Sequence, residues 1–199
     1  MFHFSARRLA AGHAFMDIAI GSRAPRRVTF ELFSKKCPVA CENFAKLCSG
    51  ENVLPHSPSV EGLGDPSFGD QFLPQLTYQG TTFHRVVKGF LVQGGDIVSG
   101  AGTEQLSVYG ETFDAPEEVQ QSQFAERGLL GTAVSAPHLN GSQFFIVTAE
   151  SAHHLDGTCI CFGRVAEGWD VIKEIEALPV SISGQPAEVV KVVECGKLN

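Results

Sequence analysis

Between Thr82 and Asp96 the chain runs Thr-Phe-His-Arg-Val-Val-Lys-Gly-Phe-Leu-Val-Gln-Gly-Gly-Asp, with Arg85 and Gln93 set among apolar neighbours. Arginine stays charged at any working pH, is planar, and offers only hydrogen-bond donors. Fixed in advance, such a donor stabilises charge that develops on an oxygen or on a nitrogen lone pair during a reaction. Residues an even number apart on a strand share a face, so Arg85 and Gln93 would point the same way on an unbroken strand. Gly89 interrupts the run, and the residue types leave a second reading open. A strand arginine also serves as a surface or ion-pairing residue, a glutamine as an ordinary strand amide, and Phe90, Phe145 and Leu155 as core.

Other reactive residue types form weaker patterns. His84 alternates away from Arg85 and reads as a hydrogen-bonded structural residue. Cys37, Cys41 and Cys48 fall on one helical face, and Cys159 and Cys161 form a Cys-x-Cys on a strand. Neither group has the Cys-x-x-Cys spacing of a structural zinc site, and a set built from His153, His154, Cys159 and Cys161 meets no known ligand spacing, so no metal is expected. The glycines from Gly100 to Gly110 do not complete a Gly-x-Gly-x-x-Gly between strand and helix, which excludes a dinucleotide site; no cofactor is expected.

The elements that must position these residues are mostly strands. Ala14 to Ile20 and Arg27 to Phe33 read as two strands joined by a turn at Gly21 to Pro25, with Phe15, Ile18, Val28, Phe30 and Phe33 as core. Pro38 suits a first helical position, and Cys41, Phe44, Ala45 and Cys48 recur at helical spacing until Gly50. Residues 52–77 are rich in Pro, Gly, Ser and Asp without a period and read as a long loop insertion, with Phe68, Phe72, Leu73 and Leu76 packing in part on the body. Gly128 to Ser135, Asn140-Gly141-Ser142-Gln143-Phe144-Phe145-Ile146-Val147-Thr148, Cys159 to Val165 and Glu188 to Glu194 supply further strands. A second helix spans Trp169, Ile172, Ile175 and Glu176. Many strands with two helices suit a mainly β, closed antiparallel barrel.

With 199 residues, 43% hydrophobic and 19% charged, the chain makes one domain with a sizeable core. Its net charge of -7 argues against nucleic-acid binding, which requires a basic footprint. The apolar runs fall short of a membrane span. Six cysteines without framework spacing or a secretory signal place the protein in a reducing, cytoplasmic setting. Residues 1–12 read as an extension before a domain at 13–199. The extension holds Arg7, Arg8 and no acid, so a short mitochondrial presequence is the alternative. The start lies at Met1 or at Met16, the latter inside the first strand.

Several blocks resemble the signature of the cyclophilins: Phe83-His84-Arg85, Gly89-Phe90, Gln93-Gly94-Gly95-Asp96, Asn140 to Phe145, Leu155-Asp156-Gly157 and Phe162-Gly163, with Asp17-Ile18-Ala19 and Cys195-Gly196 at the edges. The resemblance covers nearly the whole chain. It implies an eight-stranded barrel with a helix over each end, and peptidyl-prolyl cis-trans isomerase activity on X-Pro bonds in peptides and proteins, without a cofactor; a monomer is expected. It also implies that Arg85 is catalytic, that Gln93 hydrogen-bonds the substrate backbone, and that Phe90, Leu91, Phe145 and Leu155 wall the proline pocket. Ala133 matches a small residue beside the substrate backbone.

The sequence departs from the family at the pocket rim. Val134 stands where an asparagine's main chain meets substrate, Cys159 where many members have a histidine, and His154, with His153 as the alternative match, where many have tryptophan. These changes lead to an expectation of retained, weaker isomerase activity and reduced affinity for cyclosporin-type ligands. Cys48 and Cys195 match positions where some long-loop cyclophilins carry a redox cysteine pair. The altered rim and the insertion keep a second function in view, a proline-peptide binding or scaffold module with incidental catalysis.

Overall fold

The computed structural model of the protein describes residues 12–51, 76–134 and 139–198. The extension at 1–11 and all but the last two residues of the 52–77 insertion, including Phe68, Phe72 and Leu73, lie outside these described residues.

The first hairpin shows how alternation builds the core. In β1 (His13–Ile20), Ala14, Met16, Ile18 and Ile20 face inward and are buried, while the residues between them face outward. Phe15 therefore is not core, contrary to the sequence reading. Its ring lies under the Arg27 guanidinium, 3.9 Å from the centroid, and Arg27 also grips Asp17 through two hydrogen bonds of 2.8 Å. β1 pairs antiparallel with β2 (Arg26–Leu32) on one side and with β8 (Val190–Leu198) on the other. A chain begun at Met16 would lack the His13 to Phe15 part of this strand.

The remaining strands are β3 (Arg85–Val87), β4 (Leu91–Gly94), β5 (Leu129–Thr132), β6 (Phe144–Val147) and β7 (Cys161–Glu167). All pairings are antiparallel, and the order across the sheet is β3-β4-β6-β5-β7-β2-β1-β8. The eight strands match the expectation; closure does not. β3 and β8 stand at the two ends of the ladder, so the sheet is open and curled. Its ends meet at a seam made of one isolated bridge, Thr82 to Lys191, and three backbone bonds: Phe83 N–H to the Val190 carbonyl and Val192 N–H to the Thr81 carbonyl, each 2.9 Å, and Gly80 N–H to the Val192 carbonyl, 2.8 Å. The reason is the brevity of β3: at Val86 its outer edge donates to the Gly184 carbonyl (2.7 Å) of a turn, leaving β8 no strand to pair with.

Among the described residues there are three α-helices, one more than expected: α1 (Pro38–Ser49) and α3 (Trp169–Ala177), which pack against the sheet, and α2 (Pro116–Gln120). α1 opens on proline and stops at Gly50, whose left-handed backbone (φ 65°) lets its N–H reach the Lys46 carbonyl. It presents Phe44 to the rings of Phe30, Tyr78, Phe144 and Phe162, at centroid distances of 5.2–5.7 Å. α2 is too short to show a period, yet it supplies a cap. The Glu118 carboxylate accepts Val39 N–H (2.7 Å) and Ala40 N–H (3.1 Å), two donors that the start of α1 leaves unpaired.

The central strands are covered on both faces. Val92, Leu130, Phe144 and Ile146 point into the main core. Leu91, Leu129, Phe145 and Val147 point the other way into a second apolar cluster. Burial on both sides explains the uninterrupted Phe144-Phe145-Ile146-Val147 run.

Candidate functional site

The outer face of β3, β4 and β6 carries the site. Gly89, at φ 71°, turns β3 into β4, and its N–H donates to Glu176 Oε1 on α3 at 2.8 Å. The turn makes Arg85 and Gln93 direct partners across two strands. They share a face as expected, but as neighbours in a hairpin and not as members of one strand. Gln93 is in turn opposite Phe145, and Phe145 is opposite Gly131 on β5. One row therefore runs Arg85, Gln93, Phe145, Gly131 across four strands. The last member must be glycine: a Cβ there would lie 2.4 Å from Phe145 Cζ and 2.8 Å from Phe124 Cε1.

A chain of amide contacts fixes the polar half. Arg85 Nη1 donates to Gln93 Oε1 (3.2 Å), Gln93 Nε2 to Gln143 Oε1 (2.9 Å), and Gln143 Nε2 to the Glu104 carbonyl (3.0 Å). Arg85 is exposed and, among the described residues, has no carboxylate paired with it. Glu104 is held by Asp96, a nearly solvent-free carboxylate that accepts N–H groups from Val98, Ser99, Gly102, Thr103 and Glu104 and the Ser99 hydroxyl. Burial opposes its charge, but the hydrogen bonds from Ser99, Val98 and Glu104 outweigh burial and hold the carboxyl well below the usual range.

The apolar half is the second cluster. It gathers Phe90, Leu91, Phe145, Leu155, Ala133, Val134 and Cys159, so the expected pocket residues do come together. His154 lies exposed at the edge, its ring 5.0 Å from that of Phe90 and tilted by 38°. His153 instead faces Asp156, with Nδ1 3.0 Å from Oδ2, so of the two histidines it is His154 whose ring lies beside Phe90. Burial pushes the Cys159 thiol up to about 11, leaving a neutral, apolar wall. His84 sits against Gly102, where a Cβ would meet its ring at 2.5 Å, and burial lowers its pKa against the pull of Asp96.

Residues 15–197 match the family described as cyclophilin type peptidyl-prolyl cis-trans isomerase/CLD. The chain belongs to the cyclophilin family. Two curated relatives, both named NK-tumor recognition protein, from Mus musculus and Homo sapiens, are each 41% identical over 182 residues, or 92% of this chain. The chain spans only 11% of the length of those relatives.

For this cyclophilin the sequence reading missed three residues that shape the site. Gln143 was visible in the motif beside Phe144, but its role as the link between Gln93 and the Glu104 carbonyl depends on a partner far along the chain. Phe124 packs its ring 5.5 Å from that of Phe145 and lies in a stretch with no period. Gln105 donates to the Ala133 carbonyl at 3.1 Å and so covers a main-chain acceptor at the pocket edge.

The two cysteines of the expected redox pair lie where α1 meets β8. Cys48 is buried, Cys195 is partly buried, and both are free thiols. Burial raises both thiol pKa values; at Cys48 the neighbouring Cys195 adds to the rise and Lys197 opposes it without reversing it. Thiols held this way are poor nucleophiles. Among the described residues no group of three or more His, Cys, Asp and Glu is placed to hold a metal ion.

Proposed function

We propose that this cyclophilin is a peptidyl-prolyl cis-trans isomerase acting on exposed X-Pro segments of peptides and proteins. The carrying observation is the Arg85–Gln93–Gln143 hydrogen-bond chain beside an apolar pocket of Phe90, Leu91, Phe145 and Leu155. Rotation about an X-Pro bond must overcome the loss of amide resonance, about 20 kcal/mol, and breaks no covalent bond. The reaction therefore needs neither nucleophile nor proton shuttle. It needs a wall that holds the ring and a donor that favours the twisted amide, in which the prolyl nitrogen regains a lone pair. Arg85 supplies the donor and Gln93 orients it; every factor of ten in rate requires about 1.4 kcal/mol of preferential stabilisation.

His154 at the rim in place of tryptophan weakens the hold on cyclosporin-type ligands, and the Cys159 and Val134 changes leave the donor untouched. The protein acts as a monomer in a reducing, cytoplasmic compartment. A second reading is supported by the length of the relatives: they carry this domain as 11% of a long chain, which suits a proline-peptide binding module within a larger assembly.

Exchange NMR on a short Ala-Pro-Phe peptide separates the two. Isomerase activity predicts accelerated cis-trans exchange that drops at least about tenfold in Arg85→Ala, an effect of about 1.4 kcal/mol or more on the barrier. Binding without acceleration would leave the module reading in place.

A further inference from the structure

Arg85 and Gln93 border more than the proline pocket. On the seam side of the same two residues lies an open cavity of about 480 Å³. Its floor is the Phe83 to Val190 contact across the seam. One wall is the Gly100-Ala101-Gly102 loop, and the other is the turn from Ser183 to Val189. The size falls within the roughly 300–1,000 Å³ of small-molecule and peptide clefts, room for about three residues of extended chain.

Both walls are set in advance. The loop is tied to the Asp96 carboxylate through Gly102 and Thr103 N–H groups, at 2.8 and 3.1 Å. The turn is tied to β3 by Val86 N–H to the Gly184 carbonyl and internally by Gln185 N–H to Ser181 Oγ, 3.1 Å. Preformed walls reduce the ordering cost of binding an extended peptide. The cavity is also close to uncharged away from Arg85. Its acid, Glu188, is held by Arg23 Nη2 at 2.7 and 3.0 Å, which offsets its charge. Val189 lines the cavity at 64% exposure, and Ile182 on the same turn is fully exposed, so this side offers apolar surface that no described residue covers.

We propose that this cavity is a second arm of the substrate site, taking the residues that flank the X-Pro bond on one side, and that it selects an uncharged segment with an apolar side chain seated against Val189 and Pro186. The proposal rests on the reading that the chain binds X-Pro segments, and its continuity with that site is the shared pair Arg85 and Gln93. The occupant is the substrate chain itself, because any polypeptide lying over Arg85 must continue past it. A carboxylate in the flanking segment would lose hydration against Val189 and Pro186, whereas a bulky apolar residue gains contact with Val189.

The test uses the 199-residue chain and a peptide series: Ala-Pro-Phe alone, then extended by two leucines or two aspartates on the amino or the carboxyl side. Dissociation constants and amide chemical shifts are measured for the native protein, Val189→Asp and Ser183→Trp, with thermal unfolding as the folding control. Leucine extension on one side is expected to tighten binding about tenfold in the native protein. The gain should vanish in both variants while binding of Ala-Pro-Phe is unchanged, and aspartate extension should bring no gain. The amides of Gly100, Ala101, Gly102 and Ser183 should shift with the extended peptide only. Extension without any gain, or shifts confined to the surroundings of Phe90 and Phe145, would overturn the second arm. Loss of turnover alone would not, since the readout is binding; if Ala-Pro-Phe neither binds nor turns over, the isomerase reading fails, and the second arm then stands or falls on the shifts from the longer peptides.

Discussion

Replacing Asp96 by asparagine tests whether the loop carboxylate holds the catalytic geometry from a distance. Asp96 Oδ1 accepts Val98 and Ser99 N–H at 3.0 and 2.8 Å, and Oδ2 accepts Gly102, Thr103 and Glu104 N–H at 2.8, 3.1 and 3.3 Å. Asparagine has one acceptor oxygen. If that oxygen takes the place of Oδ2, the amide NH₂ faces the Val98 and Ser99 donors, and two hydrogen bonds to a charge become two donor–donor contacts. At about 1.5–3 kcal/mol for each bond to a charged group, the loss is about 3–6 kcal/mol. In a domain of this size that lowers Tm by roughly 6–24 °C.

The effect should also depend on pH. The Asp96 carboxyl has a folded pKa below its unfolded value of about 3.9, so its contribution is present above about pH 4 and is lost as pH falls through the folded value. The gap between native and Asp96→Asn stability, from urea unfolding at stepped pH, should therefore be constant from pH 7 to 5 and shrink below about pH 4. Because Glu104 supplies the carbonyl that anchors Gln143, the variant should also slow prolyl exchange at temperatures where it remains folded. A loss under about 1 kcal/mol, or a gap that widens in acid, would refute the reasoning.

Gly131→Ala should cost about 1–3 kcal/mol and weaken peptide binding, because the new methyl meets the Phe145 ring at 2.4 Å; unfolding and titration with Ala-Pro-Phe read both effects. Glu118→Ala should cost about 1–3 kcal/mol by leaving the Val39 and Ala40 donors without their acceptor, with amide exchange accelerated at the start of α1; an unchanged exchange rate there would show that the cap is dispensable. If Cys48 and Cys195 form a redox pair, oxidised protein should give a linked peptide containing both on mass mapping, and the idea should be dropped if none is found.

The sequence was legible where the signal was local. Strand-forming residues on either side of the Gly21 to Pro25 turn marked β1 and β2, proline and glycine bracketed α1, and the family resemblance grouped Phe90, Leu91 and Phe145, which by residue type alone read as ordinary core. Parity put Arg85 and Gln93 on one face, and it succeeded despite the break at Gly89 because opposite residues in a hairpin also share a face. What stayed hidden depends on contacts distant in sequence. Gln143 acquires its role from Glu104, Glu118 from Val39, and Phe124 from Phe145. Phe15 was misplaced because it was assigned to the core together with Ile18, three residues on and so on the opposite face of a strand; its aromatic character outweighed the alternation. Closure failed for a related reason: eight strands do not make a barrel when one of them is three residues long and a turn occupies part of its edge.

The hydrogen-bond chain separates what can vary at this site from what cannot. Arg85 is oriented by Gln93, Gln93 by Gln143, and Gln143 by a backbone carbonyl whose loop is tied to Asp96. None of these contacts involves His154, Cys159 or Val134, which belong to the apolar side. On the isomerase proposal, changes at those three positions would act on how tightly a proline segment is held and leave the donor where the twisted amide needs it. Such a division would let the rim and the proposed seam arm adjust to particular partners while the chemistry of rotation stays the same, because uniform changes in binding alter KM without changing the preference for the transition state.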